Sequence, residues 1–288
     1  MTEERQVPEA SFGSYYGRPI LKAPRWREPH LPAYLFLGEL SGGAAMLGAA
    51  FLTAELGRPE RFLNMLRVAK PTSPMSMGSW TLAAHTGLVT AAAASSVTGL
   101  LPGLGAVAGA ASALTGPVLA AYPGVLLANT AVPAWHTAYR ELPLLFTGGA
   151  MTATAAAALA AAAWPGSGAG PGPAVRLAVA GAVTEGMAAF SLEHRLGEVG
   201  EPYRGGDAGR LLRAARVMTA AGGVCALAAR RSRGAGVLGA ALLAGGGLAA
   251  KFAVLRAGVA SASDPRYVVA QQRGGRAEPA SEAVPAPG

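Results

Sequence analysis

The chain has 288 residues, 51% of them hydrophobic and only 14% charged, with a formal net charge of +8. Soluble domains carry about 25% charged residues, so the composition excludes an ordinary soluble enzyme and points to a membrane protein. The basic residues gather at the ends of apolar runs, where they meet lipid headgroups and set topology, and this excludes a nucleic-acid partner.

In chain order, residues 1–31 read as a polar interfacial arm, without the short apolar core and small-residue cleavage site of a signal peptide. Apolar runs follow at residues 32–56, 77–101, 104–135, 142–164, 174–192, 211–229 and 234–255. A helix needs roughly 20 residues to cross a ~30 Å hydrocarbon core, so each run is long enough, or nearly so, to span. Between the first two, residues 59–70 have the spacing of a short surface helix, and Ser76 is placed to cap the next one. The third run is interrupted by Pro117, Pro123 and Pro133; it reads as one kinked helix, and an eighth span arises only if it divides. Residues 193–210 are the most hydrophilic interior connection. The expected fold is therefore all-α: a polytopic transmembrane helical bundle of seven spans, or eight, over residues 32–258, with a polar tail at 259–288. Abundant Gly and Ala, as in Gly38-x-x-x-Gly42 and Gly245–Gly246–Gly247, suit helices that pack closely in lipid. With seven spans, the basic residues on the face opposite the N terminus are the more numerous, which places the N terminus outside the cell membrane.

A charged side chain within a span costs several kcal/mol and is a functional hypothesis by default. Glu39 and Glu185 qualify as proton relays, against the plainer reading that each locks two helices together. Lys251, near the predicted end of the last run, reads as a side chain snorkelling to the interface. Glu55 and Arg58 stand three apart at the end of the first run and suit a structural ion pair. Cys225 is the single cysteine, so an iron–sulfur cluster held by this chain alone is not expected. Of the four histidines only His85 lies well inside a run, which argues against haem and for an interhelical hydrogen bond. No metal-binding cluster is expected. His30 and Tyr34, one turn apart at the start of the first run, and Tyr122 beside Pro123 bring imidazole and phenol groups that suit the two carbonyl oxygens of a quinone.

The segments SYYGRPILKAPRW, PAYLFLGELSGG, ELGRPERFLNMLRVAKPTSPMSMGSW, LAAYPGVLLANTAVPAWHTAYRELPLLF and KFAVLRAGVASASDPRYVVAQQR together resemble the NrfD/PsrC-like family. These are the membrane subunits of polysulfide reductase and related molybdenum oxidoreductases. The resemblance implies a haem-free subunit that exchanges electrons between the quinone pool (menaquinone or ubiquinone) and a four-cluster iron–sulfur subunit. That partner is itself docked to a molybdopterin catalytic subunit. It also implies a quinone site at His30 and Tyr122; helical spacing adds Tyr34, one turn from His30, and Glu39, about two turns deeper, as the proton relay. The runner-up is a membrane anchor or an ion- or proton-translocating protein without quinone chemistry.

Overall fold

The computed structural model describes residue 67 and residues 69–275, apart from 167 and 169; readings that fall on 1–66 lie outside the described residues. The described chain is helical, without strands. Its elements are α1 (Pro74–Thr98), α2 (Pro102–Ala128), α3 (Pro133–His136), α4 (Glu141–Ala163) and α5 (Gly172–Arg195), then a 3₁₀ turn at Gly197–Gly200. They continue with α6 (Glu201–Arg204), α7 (Gly206–Ala228), α8 (Arg233–Ser263) and α9 (Pro265–Gly275). The long helices form neighbouring antiparallel pairs, α1 with α2, α4 with α5 and α7 with α8, and α4 packs on both α2 and α8.

Five helices, α2, α4, α5, α7 and α8, are long and apolar enough to cross a membrane. α1 has 25 residues and no charge, but its Ser, Thr and His content lowers its hydropathy below theirs. The first run lies outside the described residues, so the described helices do not fix the total at seven or eight. The third run gives one long helix: α2 passes through Pro117 and Pro123 and ends at Ala128, and only the single turn α3 follows. α1 is capped by Ser73, whose side chain accepts from Ser76 N–H, because Pro74 takes the first helical position. Ser76 is thus not the cap; its hydroxyl accepts from the Lys70 amide at 3.0 Å instead. A bundle of this kind stays in membrane pellets through carbonate and high-salt washing and leaves only with detergent; release by carbonate contradicts the spanning reading.

The core lies in two clusters. One is centred on Trp135, Phe146, Tyr203 and Leu212, the other on Leu159, Val175 and Leu243. Small residues allow the helices to close: a Cβ on Gly148 would stand 2.5 Å from the Glu185 backbone nitrogen, so α4 and α5 touch backbone to backbone there. Trp135 and Tyr203 come from connections, not from long helices. Trp135 Nε1–H donates to the Val254 carbonyl at 2.8 Å, and the Tyr203 hydroxyl donates to the Ala134 carbonyl at 3.3 Å. The two connections thereby plug one end of the bundle, which is also the charged end. α9 docks there as well, its Tyr267 hydroxyl donating to Glu201 at 3.2 Å.

Candidate functional site

Glu185 sits near the middle of α5 and is 3% exposed. Because Gly148 and Gly181 let α4 and α5 approach closely, the Thr152 hydroxyl of α4 reaches the carboxylate and donates to it at 3.3 Å. Thr219 of α7 lies beside the carboxylate on another side. From α8, the Lys251 ammonium is near enough to attract it. Lys251 is fully buried, with its Nζ 4.3 Å from the centre of the Phe146 ring. The snorkelling expectation for Lys251 is therefore overturned: α8 continues to Ser263, so residue 251 lies well inside the helix and its cation is held by the core. Four helices thus bring a carboxyl, hydroxyls and an ammonium group to one point in an apolar bundle.

A cavity of about 480 Å³ opens beside this point, between α5 and α7. Ala182, Glu185 and Gly186 line it from α5; Arg213, Arg216, Thr219 and Ala220 are among its lining residues on α7. At its charged end Arg216 donates to Glu193 at 2.6 Å, and Arg213 to the Arg204 carbonyl at 2.8 Å. Nearby, Arg195 pairs with the buried Glu141 at 2.7 Å, and Ser191 donates to the same oxygen at 3.1 Å. Burial, and then the Glu141 charge, push the Tyr203 phenol well above its ordinary range, so it stays a hydroxyl donor. Tyr267 is likewise raised, by desolvation first and by Glu201 second.

Tyr122 belongs to a different seam. Its ring lies against Gly78 of α1, where a Cβ would come within 1.9 Å of ring carbons, and among the described residues its hydroxyl donates to nothing. The site residues predicted from sequence therefore divide: Glu185 has its cluster at α4, α5, α7 and α8, while Tyr122 stands at α1 and α2. His30, Tyr34 and Glu39 lie outside the described residues. His85 makes the expected interhelical bond, its Nδ1 2.9 Å from the Thr115 hydroxyl. Among the described residues no three His, Cys, Asp or Glu side chains come together as a metal site.

The fold and the site together define an all-helical protein of the membrane-spanning type, with polar groups concentrated at one internal point. No protein-family model, curated protein or solved structure matches the chain.

Proposed function

We propose that the chain is a haem-free, quinone- or quinol-reactive membrane subunit. It passes electrons between a menaquinone or ubiquinone pool and an iron–sulfur subunit with four clusters, itself bound to a molybdopterin catalytic subunit. The observation that carries the reading is the Glu185 site, a titratable group kept in mid-bundle with a hydroxyl donor and a cation around it. A bound quinol supplies two electrons and two protons as it becomes quinone. Those protons need groups that can hold them within apolar packing. Glu185 is placed to hold one, Thr152 to steady the ionised carboxylate, and Lys251 to offset its charge. Tyr122 is the described residue that would donate to a quinone carbonyl, and Gly78 gives its ring room beside α1. The partner subunits rest on the sequence resemblance, which covers residues 14–80, 119–146 and 251–273 in several stretches. In this reading the protein sits in the cell membrane with its charged end in the cytoplasm and its N terminus outside.

A second reading, ion or proton translocation without quinone chemistry, draws on the same Glu185 cluster. The assembled complex separates them. Tyr122→Phe is expected to weaken quinol-linked turnover about five- to hundred-fold, the cost of one lost hydrogen bond. Activity of the catalytic subunit with an artificial dye stays unchanged. Glu185→Gln slows turnover with little effect on quinone affinity. Wild-type quinol rates in both variants take the quinone site away from these residues, and a purified chain with no iron–sulfur partner and no quinol-linked turnover gives the case to the second reading.

A further inference from the structure

The cavity beside Glu185 has a direction. Its lining on α7 runs from Arg213 to Ala220, two helical turns or about 10 Å, and its lining on α5 is the single stripe Ala182, Glu185 and Gly186. The walls are open because the residues are small: a Cβ on Gly186 would meet no atom within 4 Å. One end of the lining is Glu185 with Thr219. The other is Arg213 and Arg216, and Arg216 is bonded to Glu193, about 12 Å along α5 from Glu185. In the opposite direction the lining of this cavity stops at Ala182 on α5 and at Ala220 on α7. On the α4 side Glu185 is sealed: level with it at Gly148, and one turn further at Gly181, α4 and α5 are packed so closely that a Cβ on either glycine would overlap its neighbours.

We propose that Glu185 exchanges protons with one face of the membrane only, the charged face, through this cavity, with the Arg216–Glu193 pair at its mouth. The inference rests on the reading of Glu185 as a group that takes up and releases a proton. The charged or titratable groups around it are Lys251 from α8, Arg213 and Arg216 from α7, and Glu193 further along α5. α4 presents the Thr152 hydroxyl, and its Glu141 is engaged with Arg195 at the charged end. Two bound cations at the mouth set a threshold for proton entry, and Glu193 offers the carboxylate that passes a proton across it. Water in the cavity completes the route: the space holds several molecules, with polar partners on both walls.

The test uses the full chain in sided vesicles, with a membrane-permeant carbodiimide that adds to protonated carboxyl groups, and mass spectrometry of the Glu185 peptide. Raising the pH by one unit on the charged face is expected to lower the initial labelling rate by up to about tenfold; the same change on the other face leaves it unaltered. Gly186→Leu fills open space without touching the carboxyl group and makes labelling respond slowly to either side. Glu185→Gln removes the label and identifies the site. A rate that follows the opposite face, or both faces equally, overturns the one-sided route while leaving Glu185 a proton carrier. No labelling at any pH overturns the carrier reading itself. If Gly186→Leu does not assemble, the wild-type response to sided pH decides alone.

Discussion

Lys251→Met is expected to destabilise the folded bundle by about 3–5 kcal/mol, and Glu185→Gln on that background to return most of the loss. The reason lies in the electrostatics of the site. Lys251 is 0% exposed and Glu185 3% exposed, so neither group keeps a hydration shell when ionised. Each is tolerated because other groups replace that shell: Thr152 and Lys251 for the carboxylate, the Phe146 ring and Glu185 for the ammonium. Removing the cation leaves a carboxylate in apolar packing with only the Thr152 and Thr219 hydroxyls beside it. The penalty is larger than the strength of the pair itself, because an uncompensated charge remains behind. Gln keeps the shape of Glu185 and the capacity to accept from Thr152, but needs no counter-charge. Thermal unfolding of the detergent-solubilised chain, run as a double-mutant cycle, reads the coupling. A double variant that melts as low as Lys251→Met alone shows the two sites to be independent, and the charge-pair account is then wrong.

The long helices were legible because hydrocarbon thickness imposes a length that the sequence displays directly. Residues 142–164 became Glu141–Ala163, and residues 211–229 became Gly206–Ala228. Glu185 stood out for the same reason, as a carboxylate inside an apolar run, read either as a proton relay or as a lock between two helices. What sequence reasoning missed was packing at the charged end. Residues 193–210 read as a hydrophilic connection, yet Tyr203 is wholly buried, and so are Trp135, at the end of the third apolar run, and Ala138 just after it. A polar stretch hides a core residue when its backbone finds partners in neighbouring elements, as Ala134 does with the Ser261 and Tyr203 hydroxyls. The end of the last run failed to show for the same reason. Residues 256–263 begin with Arg256 and mix Ala and Val with Gly and Ser, too weak an apolar signal to extend the run, but they continue α8 because Gly258 and Ser261 pack against the α3 plug. That extension places Lys251 inside the bundle, and no periodicity in residues 234–255 announces it. Pairing across helices, such as Lys251 with Glu185, is a property of tertiary packing and has no signature in one sequence.

Gly258→Ala is expected to cost on the order of 3 kcal/mol, near the upper end for overpacking a close-packed interior. A Cβ at this position would stand 2.0 Å from Trp135 Cε2 and 2.1 Å from Cζ2, less than the sum of the atomic radii by more than an ångström. The indole cannot simply retreat. It is 0% exposed, its Nε1–H is fixed to the Val254 carbonyl at 2.8 Å, and the turn that carries it is held by the Ser261 hydroxyl on the Ala134 amide at 3.2 Å. Something larger than a rotamer must therefore move: either α8 shifts away from α4, which opens the packing around Lys251 and Phe146, or the α3 plug leaves the bundle end. The helix itself gains slightly from the exchange, because Ala is a better helix former than Gly by about 1 kcal/mol. The net loss is thus smaller than the steric penalty, and it stays large. Trp135→Phe on the Gly258→Ala background removes the outer part of the indole, with the Cε2, Cζ2 and Nε1 atoms that meet the new methyl group, and recovers part of the stability. Trp135→Phe in the parent chain only loses, since it gives up a buried hydrogen bond and leaves a void. The sign reversal between the two backgrounds is the decisive measurement. If Gly258→Ala melts with the parent chain, the indole does not occupy this place against α8, and the plug at the charged end is arranged differently.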